Sequence, residues 1–142
     1  MPGSRVVLDT NVYVSALWNP TGLPARVARE LLDAGRVLTS DPLLAELRDV
    51  LGRPSLRARL GRERPVKLLA SLVSESIHVN SAIEVADIPD PKDEMLFALA
   101  LAGEADYLIT GDKALWGLDP YGTRPIRVLD LAQFRRLDGS AG

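Results

Sequence analysis

The chain alternates between two hydrophobic rhythms. Near the N-terminus, Val6-Val7-Leu8 is a continuous apolar run with no polar alternation, the mark of a strand buried on both faces. Val12-Tyr13-Val14-Ser15-Ala16-Leu17 then opens a covering helix. After the loop Trp18-Asn19-Pro20-Thr21-Gly22, a second helix runs from about Leu23, with Val27, Leu31 and Leu32 at helical spacing and Gly35 as its stop. Arg36-Val37-Leu38-Thr39 is the next short strand. Asp41 and Pro42 then read as N-cap and first residue of a helix to Leu51, with Leu43, Leu47, Val50 and Leu51 as its apolar stripe. Gly52-Arg53-Pro54 breaks it. Helical pieces follow at about Ser55 to Leu60 and Pro65 to Ser76, the latter turning Leu68, Leu69, Leu72 and Val73 inward. Ile77-His78-Val79 is a third strand.

The second half repeats the rhythm. Asp90 caps a helix that begins at Pro91, Ala105 to Thr110 forms a strand, Ile126 to Leu129 forms the last strand, and Asp130 caps a final helix carrying Leu131, Phe134 and Leu137. The tail Asp138-Gly139-Ser140-Ala141-Gly142 is expected to fray. Strand and helix alternate throughout, which predicts a parallel sheet with helices on both faces, over a single domain spanning residues 1–142.

Composition narrows the chemistry. The 142 residues include no cysteine and one histidine, His78. A thiolate zinc site, a cysteine nucleophile and a Ser/His/Asp triad are therefore disfavoured, and His78 reads as an outward polar residue. No apolar run approaches the roughly 20 residues that span a bilayer, and no leader pattern opens the chain; a cytoplasmic location is expected. An enzyme built from this sequence would run on carboxylates.

Net charge is −2, but it is unevenly spread. Arg48, Arg53, Arg57, Arg59, Arg62, Arg64 and Lys67 face only Asp49 and Glu63, giving that segment +5 and the remainder −7. This is either a solvated helical face or a phosphate-contacting patch. Trp18 and Trp116 read as packing residues, with base stacking as the other role.

Four acids stand out by position. Asp9 and Asp112 follow apolar strands, whereas Glu46 and Asp93 lie on apolar helix faces, Asp93 beside Leu96, Phe97 and Ala100. Each has an ordinary reading: turn former for Asp112, capping residue for Asp93, stripe-edge residue for Glu46. In a right-handed parallel sheet, however, strand ends and the following helix starts share one edge. Four ionised acids there would repel one another unless a cation were present. An all-oxygen cluster suits Mg²⁺ or Mn²⁺, which points to phosphodiester hydrolysis by water activated at the ion. Thr10, Asn11 and Thr110 would hold the carboxylates or contact phosphate.

The segments Asp9-Thr10-Asn11, Asp41-Pro42-Leu43-Leu44-Ala45-Glu46-Leu47, Asp90-Pro91-Lys92-Asp93 and Thr110-Gly111-Asp112 together resemble the PIN-domain nucleases, in particular the toxin components of prokaryotic toxin–antitoxin pairs. The resemblance runs from Arg5 to about Leu131. It implies a Rossmann-like α/β/α sandwich with strand order 3-2-1-4-5, and Mg²⁺- or Mn²⁺-dependent endoribonuclease activity. It also implies a homodimer and an antitoxin partner. The family's acidic quartet falls on Asp9, Glu46, Asp93 and Asp112. Members often carry a further acid two positions after the fourth, where this chain has Ala114, so a second metal site would be weak. Two other readings remain: a non-catalytic RNA- or protein-binding module on the same fold, and a phosphohydrolase using Asp9 as nucleophile. The latter usually wants a second acid where Asn11 stands.

Overall fold

In the computed structural model, which describes residues 3–138, the strands are short and every pairing is parallel. The order along the chain is β1 (Val6–Leu8), α1 (Thr10–Trp18), α2 (Leu23–Asp33), β2 (Leu38–Thr39), α3 (Asp41–Leu51), α4 (Pro54–Leu60), α5 (Glu63–Glu75), β3 (Ile77–His78), α6 (Pro91–Ala102), β4 (Tyr107–Ile109), α7 (Lys113–Trp116), β5 (Arg127–Leu129) and α8 (Leu131–Asp138). Two ladders form, β1-β4-β5 and β2-β3. A single parallel bridge, Val6 to Val37, joins them. With that bridge the spatial order is β3-β2-β1-β4-β5, as expected, although the β2–β1 seam is one bridge wide instead of a full ladder.

Period two along each strand sends alternate side chains to opposite faces. Val6, Leu8, Ile109 and Leu129 pack with Tyr13, Val27, Leu31, Leu72 and Phe134, the layer built from α1, α2, α5 and α8. Val7, Leu108 and Val128 pack instead with Leu96, Phe97, Leu99 and Leu115, the layer of α6 and α7. The result is a three-layer α/β/α sandwich. Its continuous apolar strands follow from burial on both faces. Helix α3 serves both layers, with Leu43 in one cluster and Leu44, Leu47 and Leu51 in the other.

Several local expectations are corrected. The N-cap of α3 is Ser40, whose hydroxyl accepts from the Leu43 amide at 3.3 Å; Asp41 is already helical. A serine in extended conformation one residue earlier satisfies the orphan amide equally well. Val73 is 54% exposed although its helix was read as turning it inward. Leu72 fills the seam under α5, and Val73, the next residue, is rotated about 100° away from it. Asp138 is held in a buried ion pair with Arg36; residues 139–142 of the expected frayed tail lie outside the described residues. By contrast, Asp90 and Asp130 do cap α6 and α8 as read, through the Lys92 and Gln133 amides.

Candidate functional site

Asp9 extends β1 by one residue: its amide donates to the Ile109 carbonyl at 2.9 Å, and α1 begins immediately after it. The side chain therefore projects from the carboxyl edge of the sheet while remaining only 7% exposed. Thr110, at the end of β4 and fully buried, donates its hydroxyl to Asp9 Oδ2 at 2.7 Å. The Thr10 hydroxyl reaches Asp9 Oδ1 at 3.3 Å and the Asn11 amide reaches Oδ2 at 3.4 Å. Thr110 Oγ1 in turn accepts from the Asp112 amide at 3.0 Å. One threonine thus ties the first acid to the turn that carries the last. Asn11 closes the same turn from the other side, its Oδ1 accepting from the Gly111 amide at 3.2 Å. The predicted trio Thr10, Asn11 and Thr110 is gathered around Asp9.

Asp9 lies within electrostatic reach of Glu46, Asp93 and Asp112, and Asp93 within reach of Glu46 and Asp112. The Asp9 carboxyl is pushed above its usual range by burial and by Asp112, against hydrogen bonds from Thr110 and Thr10 that pull it down. Glu46 is raised by burial, then by Asp9 and Asp93; a Thr10 hydrogen bond and the charge of Arg53 oppose this. Asp93 is raised by burial, then by Asp90, Asp112 and Asp9, against Lys92. Burial and like charge both disfavour the ionised carboxylate, and here they act together. Residues as far apart in sequence as Asp9 and Asp112 meet at one edge, because β1 and β4 are neighbours in register, Leu8 opposite Ile109.

A donor set of carboxylates without nitrogen or sulfur suits a hard divalent ion. The fit is one of placement and charge. In their present positions no three Asp, Glu or His side chains among the described residues converge closely enough to hold an ion. Asp112 also keeps its ordinary role, its Oδ1 accepting from the Ala114 amide at 3.0 Å as N-cap of α7.

Two features escaped the sequence. Asp90 is an electrostatic neighbour of Asp93 as well as a cap, which its spacing three residues upstream could have suggested. Trp116 donates its indole N–H to the Thr110 carbonyl at 3.0 Å and so fixes the segment carrying that threonine; nothing in the sequence signals this. Trp18, read as a packing residue, is 46% exposed, with the Arg59 guanidinium 4.2 Å from its ring centre. His78 is exposed and meets Asp41 at 3.0 Å. The basic residues between Arg48 and Lys67 do not form one surface. Arg53 senses Glu46, Arg59 covers Trp18, Arg64 and Lys67 line an apolar cleft with α1 and α2, and Arg48, Arg57 and Arg62 line a separate groove.

A three-layer sandwich with acids gathered at the carboxyl ends of its parallel strands belongs to a class whose ligands bind at that sheet edge. This chain belongs to the PIN domain family, whose model matches residues 5–114. An uncharacterized protein of Methanocaldococcus jannaschii is 35% identical over 116 residues, covering 80% of this chain and 74% of that protein. A chain of the crystal structure of VapBC2 from Rickettsia felis, bound to a DNA fragment from their promoter, shares the fold at a TM-score of 0.55 and 18% identity, covering 88% of this chain and 96% of the other. Among the described residues, no helix is long and apolar enough to cross a membrane.

Proposed function

We propose that this protein is a divalent-metal-dependent endoribonuclease acting as the toxin of a toxin–antitoxin pair. Asp9, Glu46, Asp93 and Asp112 would hold the ion, Mg²⁺ or Mn²⁺. The bound ion would supply a water of lowered pKa and neutralise charge on the scissile phosphate. The chain's own residues do the rest. Thr110 and Thr10 orient Asp9 and favour its ionised form by hydrogen bonding to its carboxylate, against the burial that raises it. Asn11 holds the Gly111 turn against Asp9, which fixes Asp112 relative to it. Arg53 and its neighbours draw in the RNA backbone.

The observation that carries this reading is the gathering of acids from four separate segments at one sheet edge, with Asp9 and the Asp112 turn tied together through Thr110 and with Asp9, Glu46 and Asp93 raised first by burial and then by neighbouring acids. A structural role gains nothing from such repulsion. The nucleophile reading is disfavoured by the burial of Asp9 and by the engagement of both its oxygens. The VapBC2 assembly with its promoter DNA supports the search for an antitoxin partner, and a small DNA-binding protein encoded beside this chain would be the expected one.

The decisive experiment measures RNA cleavage with Mg²⁺ or Mn²⁺, with and without EDTA, beside Asp9→Asn. Cleavage should need the ion and fall at least about 100-fold in the variant, at the upper end of what disturbing a metal site costs. Undiminished cleavage in Asp9→Asn would refute the mechanism. RNA binding with no cleavage by the unaltered protein would instead favour the non-catalytic module, the reading suited by the open spacing of the acids.

A further inference from the structure

The basic residues outside the acidic site divide sharply by whether they have partners. Arg29, Arg124, Arg127 and Arg135 each bond a carboxylate. Among the described residues, the side chains of Arg48, Arg57 and Arg62 have no hydrogen bond or ion pair, yet all three residues line one groove of about 370 Å³ between α3, α4 and α5. No acid lines it. Its floor is apolar, with buried Leu51 and half-buried Leu69, so the three guanidiniums stand over a surface that offers them no counter-charge. Gly61, at φ +72°, makes the turn that brings Arg62 back to the groove, and a Cβ built there meets nothing within 4 Å, so the wall stays open.

We propose that this groove is a phosphate channel, in which Arg48, Arg57 and Arg62 hold the backbone of single-stranded RNA outside the cleavage site. The proposal rests on the nuclease reading for its choice of ligand. Three arginines lining one groove favour an anion with several oxygens, because each guanidinium presents a planar fork matched to phosphate. A repeating polyanion satisfies all three at once. The groove also leads to the acids: Gly52 lines it, and the next residue, Arg53, is the cation that Glu46 senses. A strand leaving the acidic edge over Arg53 enters the groove directly. Substrates long enough to reach it gain affinity, and short ones do not.

The test uses the full chain carrying Asp9→Asn, with Mg²⁺ present, so that RNA binds without being cut. Anisotropy of a labelled single-stranded oligoribonucleotide is followed over a salt series, with and without Arg48→Ala, Arg57→Ala and Arg62→Ala together. Since the three side chains have no partner among the described residues, thermal melts should coincide. Affinity at low salt should fall roughly 10- to 100-fold, and the slope of log K against log salt should flatten by about 2, three phosphates at ~0.7 each. In the protein with Asp9 intact, the triple variant should raise KM for long RNA and leave a tetranucleotide cut at the same rate. Unchanged affinity and slope would overturn the proposal. So would loss of poly-glutamate binding with RNA binding intact, which would assign the groove to an acidic protein segment. If neither substrate is cut by the unaltered protein, the nuclease reading fails, and the binding series alone still decides the groove.

Discussion

The two edges of the sheet are built from the same strands and treat charge in opposite ways. At the amino edge every charge near the strand starts has a partner. The Arg36 guanidinium, just before β2, makes two bonds to Asp138, at 2.7 and 3.1 Å, and a third to the Ser4 carbonyl, with both charged side chains buried. Asp106, before β4, accepts from the Arg5 amide at 2.9 Å. Asp119 receives Arg127 twice and the Val128 amide once. Although burial raises the Asp119 carboxyl, those hydrogen bonds and the Arg127 charge bring it below its usual range. At the carboxyl edge Asp9, Glu46 and Asp93 are all raised; hydrogen bonds from Thr110 and Thr10 oppose this, and Arg53 and Lys92 are the cations that do so. One edge uses its charges to hold the fold together; the other keeps acids raised by burial and by one another, which under the proposed function a bound cation would relieve.

Breaking the amino edge should have the largest effect on stability. Arg36→Ala leaves Asp138 buried without its main counter-charge, which should cost about 3–5 kcal/mol in urea denaturation, while cleavage per folded molecule stays unchanged. A loss below 1 kcal/mol would show that this edge is less tightly compensated than its geometry implies. Adding a divalent ion sharpens the contrast from the other side. Mg²⁺ or Mn²⁺ at about 100 times its Kd should stabilise the protein by about 2.7 kcal/mol at neutral pH, and Asp112→Asn should shrink the shift in melting temperature; equal shifts in both would remove Asp112 from the ion site.

Thr110→Val probes the link between Asp9 and Asp112. Removing the hydroxyl that lowers the Asp9 carboxyl should raise it further, cut cleavage about 10-fold and move the acid limb of the rate profile to higher pH. A loss with no movement of that limb would mean that Thr110 serves packing alone. The smallest effect is the pH dependence of stability without metal. Asp9, Glu46 and Asp93 are raised in the fold, so their contribution is greatest below the ordinary carboxylate range, about pH 4, and is lost as pH rises through their raised values. Asp119 is lowered, so its contribution is present above that range and is lost as pH falls through its lowered value. In denaturation midpoints across a pH series, Asp93→Asn should flatten the first trend and Asp119→Asn the second.

The sequence by itself determined the alternation of elements, the two-faced burial of β1, and the caps Asp90 and Asp130, because these depend on neighbours within a few positions. It also exposed Asp9, Glu46, Asp93 and Asp112 as acids out of place against apolar backgrounds. Local chemistry put the start of α3 at Asp41 where the structure has Ser40, since both residue types can accept an amide, and it turned inward Val73, whose burial depends on what lies across from α5. Only the tertiary structure decided that the basic run divides among a groove, a tryptophan and the acidic edge. Helix crossing sets which way each arginine faces. The same holds for Asp138, a tail residue in sequence and a buried anchor in space, because its partner Arg36 lies 102 positions away. Charge compensation is a property of distance in three dimensions, and sequence separation carries almost no information about it.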